Sequence, residues 1–204
     1  MSGTVPQIPN QITQAYFVLD RSGSMASCLD DTIKGFNQFV EEQKNVGIDQ
    51  LGLTLVTFDD VIETVYHKKP IADVSQLNRD IYIPRNSTAL LDAIGETIKT
   101  AEKDNVENNN VIIAILTDGL ENSSKNFDLK DIHKKISEKR SLGWKFIFLG
   151  ANQDAIRSGE QLGIDRNLSK NYTVDKTPQA FKDVSQEVTR IRETYSIERT
   201  LVQR

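Results

Sequence analysis

The chain has 204 residues, of which 38% are hydrophobic, and this length and composition suit a single soluble domain with a substantial core. Its net charge of −4 and its isoelectric point near 5.3 argue against bulk electrostatic binding to nucleic acid or to an anionic membrane. No apolar run reaches the length of a membrane span, and no basic leader precedes an apolar segment at the N-terminus.

Apolar and amphipathic segments alternate through the first half of the chain, which predicts strands separated by helices. In chain order the predictions are a polar arm over 1–12, a strand over 15–19, a helix with Ile33, Phe36, Phe39 and Val40 on one face, and strands over 51–58 and 61–69. Only Asp59 and Asp60 separate the last two strands. A turn this short permits only an antiparallel hairpin, because a parallel return needs a crossover.

The second half of the chain repeats this alternation. In chain order the predictions are a polar connection over 71–87, a helix that opens at Thr88, a strand over 111–117, a helix capped by Asp128, a strand over 144–149, a short helix over 154–162, an edge strand over 171–174, and a helix that begins at Thr177 and Pro178. We therefore predict one α/β domain over 13–197 and a tail over 198–204. The domain is a doubly wound, mostly parallel sheet of six strands with helices on both faces.

Five oxygen-bearing side chains fall where predicted strands end or a predicted helix begins. Asp20, Ser22 and Ser24 follow the first strand, Thr88 opens a helix, and Asp118 follows the strand over 111–117. In an open parallel sheet, ligands bind outside the carboxyl ends of the strands, so these side chains are expected to converge. Hydroxyl and carboxylate oxygens suit a hard divalent cation, with Mg²⁺ first.

This pattern resembles the von Willebrand factor A domain and its metal-ion-dependent adhesion site. The family has Asp-x-Ser-x-Ser after a strand, a distant Thr, and Thr-Asp-Gly after a later strand, and all of these positions match here. The resemblance implies a strand order of 3-2-1-4-5-6 with strand 3 antiparallel. It also implies a metal-dependent protein-binding module without catalytic activity, in an intracellular bacterial or phage protein, working in an assembly of the kind that contains an ATPase.

The chemistry of such a site suggests how a partner is held. If neutral hydroxyls bind Mg²⁺ directly and the carboxylates of Asp20 and Asp118 act through water, the ion keeps much of its positive charge. One retained water can then be exchanged for an outside oxygen. A Glu or Asp side chain of a protein partner is the preferred guest, since it supplies charge as well as an oxygen. Mn²⁺ could fill the same site.

Other residues at the same edge are candidates for a partner-binding rim, because binding residues are often carried by loops. They are Arg21, Met25, Arg85, Asn86, Glu121 and Asn152. Arg21 is the strongest candidate, since a guanidinium beside the ion could bind a second carboxylate oxygen. Glu121 could instead repel an acidic guest or occupy the open metal position itself.

The alternative interpretation is a Mg²⁺-dependent phosphohydrolase in which Asp20 attacks phosphorus. The common phosphatase pattern has a second acidic residue two positions later, whereas this chain has Ser22 there. No Gly-x-x-x-x-Gly-Lys-Ser/Thr run is present, which argues against a P-loop NTPase. The single cysteine, Cys28, rules out an internal disulfide and is consistent with a reducing, cytoplasmic compartment.

Overall fold

The structure is a computed structural model that describes residues 12–104, 110–151 and 154–202, without the side chains of residues 199, 200 and 202. Its strands are β1 (Thr13–Asp20), β2 (Leu51–Phe58), β3 (Ile62–Pro70), β4 (Val111–Thr117), β5 (Lys145–Gly150) and β6 (Ser169–Asn171). Its α-helices are α1 (Leu29–Lys44), α2 (Leu90–Asp104), α3 (Leu129–Ser141), α4 (Ala155–Gln161) and α5 (Thr177–Val202). The predicted arm over 1–12 lies outside the described residues except for Ile12.

The strands form one six-stranded sheet in the order β3-β2-β1-β4-β5-β6. Strand β3 runs antiparallel to β2, and every other neighbouring pair is parallel. The predicted fold class, strand order and hairpin are therefore confirmed. The order reverses between β1 and β4, so the switch point of the sheet lies where Asp20 ends one strand and Asp118 follows the other.

Successive residues of the central strand β1 point to opposite faces of the sheet, and helices cover both faces. The ring of Phe17 packs against the rings of Phe36 and Phe39 in α1 and stacks on Phe181 in α5. The preceding residue, Tyr16, points the other way and donates a hydrogen bond to Asp104 at the end of α2. Tyr16 and Phe17 are both buried although they lie on opposite faces, which explains why this strand is apolar without alternation.

The structure corrects the bounds of three predicted elements. The edge strand is Ser169–Asn171 rather than 171–174, and Val174 belongs to a short 3₁₀ turn. Helix α2 begins at Leu90, so Thr88 lies in the loop before it. Helix α5 continues to Val202, beyond the point at which the sequence predicts a tail. None of the helices in the described ranges is long and apolar enough to cross a membrane.

Candidate metal centre

The carboxylate of Asp20 forms the floor of the site and is held in place by the protein around it. Its Oδ1 accepts a hydrogen bond of 2.7 Å from the backbone N–H of Ser22, and its Oδ2 accepts one of 2.5 Å from the Thr117 hydroxyl. The backbone carbonyl of the same residue accepts a hydrogen bond from the hydroxyl of the buried Tyr82. These contacts fix the end of β1 and orient the carboxylate toward the edge of the sheet.

A chain of hydroxyls connects the first loop to the second carboxylate. The Oγ atoms of Ser22 and Ser24 lie 3.1 Å apart, and the Ser24 hydroxyl donates a hydrogen bond of 2.6 Å to Oδ1 of Asp118. Ser22 is buried whereas Ser24 is exposed, so the site opens to solvent on the Ser24 side. Residues that are 94 positions apart in the sequence thus meet at one point.

Thr88 reaches the same place from the loop before α2. A Cβ atom added to Gly119 would lie 2.9 Å from Oγ1 of Thr88 and 3.6 Å from Oδ2 of Asp20. The absent side chain at this glycine therefore leaves room for the threonine hydroxyl and the carboxylate to face the same space. The structure brings together all five residues that the sequence predicts to form the site: Asp20, Ser22, Ser24, Thr88 and Asp118.

Asp20 and Asp118, the two carboxylates of the site, are both shifted toward their neutral forms. Desolvation by burial raises the pKa of Asp20 from its ordinary 3.8 to about 6, although hydrogen bonds from Thr117 and Ser22 oppose the rise. Burial also raises the pKa of Asp118, against the hydrogen bond from Ser24. Within the described residues, no lysine or arginine forms an ion pair with either carboxylate. The charge of Asp118 raises the pKa of Asp20 further, so each carboxylate disfavours ionisation of the other.

This donor set fits a hard divalent cation. It consists of carboxylate and hydroxyl oxygens, and a cation among them would offset the repulsion between Asp20 and Asp118. In the part of the chain that the structure describes, no group of three or more His, Cys, Asp or Glu side chains could hold a metal by itself. The hydroxyls are therefore needed to complete the set, and nitrogen- or sulfur-preferring metals find no matching ligands here.

Two of the residues predicted for the rim are buried. The Met25 side chain is fully buried in the core, and Arg21 is 3% exposed. The Arg21 guanidinium forms an ion pair of 3.2 Å with Asp59 and a second ion pair with Glu63, both beside β3. Because Nη1 and Nη2 of the buried guanidinium already donate to Glu63 and to the carbonyl of Val61, Arg21 does not offer them to the carboxylate of a partner. Its position directly after Asp20 in the sequence could not reveal this.

Arg85 and Asn86 are exposed at the edge, as the rim prediction requires, but both are engaged within the protein. Nε of Arg85 lies 2.7 Å from Oδ2 of Asp59, and the side-chain amide of Asn86 donates a hydrogen bond of 2.8 Å to Asp60. The carbonyl of Asn86, whose φ is +57°, accepts the backbone N–H of Gly23 and so joins this loop to the first one. Asn152 lies outside the described residues.

The carboxylate of Glu121 is directed at backbone N–H groups. Its Oε1 accepts the backbone N–H groups of Ser123 and Ser124 at 2.9 and 2.8 Å, and its Oε2 accepts the N–H of Leu91 at 2.9 Å. The carboxylate thus caps the first turn of α2, where the helix dipole favours a negative charge. In this arrangement Glu121 stabilises the loop that follows Asp118 rather than competing for the ion.

Three further residues, which the sequence does not predict as part of the site, support it. Thr117 holds Asp20, Tyr82 holds the end of β1, and Asp59 anchors the neighbouring arginines. The sequence could have identified Thr117, because this residue directly precedes Asp118 in the Thr-Asp-Gly run. Asp59 was predicted only as a turn residue, and Tyr82 lay in a segment predicted as a polar connection.

The doubly wound sheet, with a cluster of carboxylate and hydroxyl oxygens at its switch point, defines an α/β domain whose candidate site lies outside the carboxyl ends of the strands. The chain belongs to the von Willebrand factor type A domain family, whose model matches residues 15–187. Among curated protein sequences, none matches this chain.

Solved structures share the fold at low sequence identity. Proximal thread matrix protein 1 from the mussel byssus has a TM-score of 0.64 and 18% identity, over 88% of this chain and 46% of its own. The pilus adhesin SpaC from Lactobacillus rhamnosus GG has a TM-score of 0.68 and 13% identity, over 90% of this chain and 30% of its own. The manganese-loaded TRAP protein of Plasmodium vivax has a TM-score of 0.53 and 13% identity, over 84% of this chain and 72% of its own. The chain spans less than half of the first two proteins, and these likenesses show the fold alone.

Proposed function

We propose that this chain is a protein-binding module that depends on Mg²⁺ or Mn²⁺ and captures a Glu or Asp side chain of a protein partner. The observation that carries the proposal is the pair Asp20 and Asp118, whose carboxylates have no arginine or lysine partner among the described residues. They lie beside the hydroxyls of Ser22, Ser24 and Thr88. A manganese-loaded protein among the similar structures supports the dependence on a metal.

The five residues would share the task of holding the ion. The hydroxyls supply neutral ligands, while Asp20 and Asp118 supply charge and orient the hydroxyls and any water. When bound, the cation supplies a positive charge with an exchangeable position at the edge of the sheet. The exposed side of the site is the side of Ser24, and we infer that the partner approaches there.

The alternative of a phosphohydrolase that uses Asp20 is less well supported. Asp20 is 0% exposed, and both its oxygens accept hydrogen bonds from the protein. The common phosphatase pattern also has a second acidic residue two positions after the nucleophile, and Ser22 stands at that position here. The descriptions of the similar structures as an adhesin and a thread matrix protein also favour binding over catalysis.

We also propose a cytoplasmic location, because the only cysteine, Cys28, is free and buried, as a reducing compartment permits. The bacterial or phage origin and the assembly with an ATPase are proposals that rest on the family resemblance alone. A pull-down from a cell lysate with and without EDTA would test whether such a protein partner is held through the ion.

Calorimetric titration with Mg²⁺ and Mn²⁺ tests the site itself. We expect one site in the wild-type protein and a loss of affinity of at least about 100-fold in Asp20→Asn and Asp118→Asn, since each removes charge and orientation from the ligand set. Asp165→Asn is the matched control, because Asp165 is an exposed carboxylate that pairs with Arg140 elsewhere on the surface. Equal affinities in all four proteins would refute the proposed site.

A further inference from the structure

An apolar cavity borders the candidate metal centre on the side of α3 and α4. Its volume is about 340 Å³, and its walls come from α2, β5, α3, α4 and the loop after β4. Phe148 and Leu162 line its interior and are buried, whereas Leu120 and Leu129 line its mouth and are 69% and 41% exposed. The volume lies in the range of protein ligand sites. Leu120 and Leu129 thus present exposed apolar side chains at a cavity of ligand size.

Gly119 connects the cavity to the metal centre. It lines the cavity, and a Cβ atom placed on it would lie 2.9 Å from the Thr88 hydroxyl. On either side of it in the chain, Asp118 belongs to the metal centre and Leu120 to the cavity. Two residues of extended chain span at most about 7 Å. A ligand that reaches the metal centre therefore lies within one or two residues of the cavity.

Among the described residues that line the cavity, Glu121 is the acidic one, and its charge does not make the interior of the cavity polar. Glu121 lines the cavity, but its oxygens accept N–H groups of Leu91, Ser123 and Ser124. Its charge is thus directed at the start of α2, where the helix dipole stabilises it. Ser158 and Gln161 are the other polar residues of the lining, and the rest is leucine, phenylalanine and glycine. This mainly apolar lining favours an aliphatic or aromatic guest over a charged one.

We propose that this cavity is the second part of the partner site. It takes an aliphatic or aromatic side chain that lies one or two residues from the Glu or Asp captured at the metal centre. This inference rests on the proposed function. The net charge of −4 disfavours an acidic segment in the absence of a cation, so the apolar contact acts together with the ion and not in place of it. The partner is accordingly an extended protein segment with an acidic residue beside a bulky apolar one.

Random peptides displayed on phage test the proposal, with the wild-type protein immobilised in Mg²⁺ and bound phage eluted with EDTA. We expect the eluted peptides to carry Glu or Asp with Leu, Ile, Val, Met or Phe within two positions. Synthetic copies of these peptides should bind Leu120→Ser and Leu129→Ser about tenfold more weakly, since a buried apolar contact is lost. Both leucines are exposed, so the fold should tolerate these changes. Leu142→Ser is the matched control, because Leu142 is 52% exposed and follows the far end of α3.

The outcomes separate this proposal from the proposed function. Acidic peptides that elute with EDTA but show no apolar preference, or that bind the Leu120→Ser and Leu129→Ser proteins like wild type, would overturn the role of the cavity and leave the metal function intact. Peptides that stay bound in EDTA, and whose binding depends on Leu120 alone, would overturn the coupling between the cavity and the metal centre. If no acidic peptide is eluted although calorimetry detects bound Mg²⁺, the proposed function fails and this inference fails with it.

Discussion

Asp20 and Asp59 are two fully buried carboxylates at the ends of neighbouring strands, yet their electrostatic settings are opposite. Both are 0% exposed, one at the end of β1 and the other directly after β2. Burial raises the pKa of Asp20 to about 6. Burial also acts to raise the pKa of Asp59, but hydrogen bonds from Arg85 and Val61 and the charges of Arg21 and Arg85 outweigh it and lower that pKa overall.

The partner of a buried carboxylate, rather than its depth, therefore decides whether the carboxylate stays charged. The chain itself supplies two guanidinium groups to Asp59, which is therefore a completed structural unit. Within the described residues, Asp20 receives hydrogen bonds from Ser22 and Thr117 but no ion pair, and these bonds oppose the rise in its pKa only in part. A cation from outside the chain would offset the negative charge of Asp20, as the two arginines offset the charge of Asp59.

The largest effect is expected when Asp59 is deprived of an arginine. In Arg21→Met, the buried carboxylate keeps only part of its compensation, and removing one partner of a buried ion pair typically costs about 3–5 kcal/mol. Urea unfolding should show this loss, and adding Asp59→Asn to the same protein should recover most of it. Arg166→Met is the control, since this exposed arginine pairs with Glu160 on the surface and should change stability by less than about 1 kcal/mol. Similar losses in the two single variants would contradict the comparison.

Removing the charge of Asp20 should raise the free energy of unfolding of the metal-free protein, whereas removing Arg21 should lower it. Because the pKa of Asp20 is raised from 3.8 to about 6, the metal-free protein loses stability as the pH rises through this window, and the loss is complete above it. In EDTA at neutral pH, Asp20→Asn should therefore be more stable than wild type by about 3 kcal/mol, and near pH 3.8 the advantage should be mostly gone.

Urea unfolding across this pH range, with and without Mg²⁺, is the measurement. Excess Mg²⁺ should stabilise the wild-type protein at neutral pH but leave Asp20→Asn unchanged, because only wild type binds the ion. A difference between the two proteins that does not vary with pH would show that the charge of Asp20 is already compensated within the chain.

A third carboxylate, that of Glu121, follows Asp118 closely in the chain but is satisfied by backbone N–H groups. Glu121→Gln should cost about 1–2 kcal/mol, since charge-assisted bonds to Leu91, Ser123 and Ser124 become neutral. Affinity for Mg²⁺ should stay close to that of wild type. A gain in metal or partner affinity would mean instead that the Glu121 carboxylate competes for the open position.

The smallest effect on stability is expected at Thr88. Thr88→Val keeps the shape of the side chain and removes the hydroxyl near Gly119 and Asp20. Glu121 and Ser124 cap the first N–H groups of α2, so the free energy of unfolding should change by less than about 1 kcal/mol. Affinity for Mg²⁺, measured by calorimetry, should nevertheless fall by about 10-fold or more. A folded Thr88→Val protein with wild-type affinity would remove Thr88 from the ligand set.

The sequence by itself determined most of the architecture, because the signals involved are local. The strands β2 and β4 have the predicted bounds, Leu51–Phe58 and Val111–Thr117, since buried strands are continuous apolar runs. Asp128 caps α3 as predicted, through a hydrogen bond of 2.8 Å from the N–H of Asp131. The approach of the five site residues also followed from the sequence, because the carboxyl ends of adjacent parallel strands share one edge.

Only the tertiary structure decided which loop side chains face outward. Arg21 turns to Asp59 and Glu63, the latter 42 residues away, and Glu121 turns to the start of α2. The local sequence around Arg21 is compatible with either an inward or an outward side chain. The choice depends on charges and N–H groups that distant elements bring to the same place, and a buried charge or an unpaired helix end costs more than an exposed one.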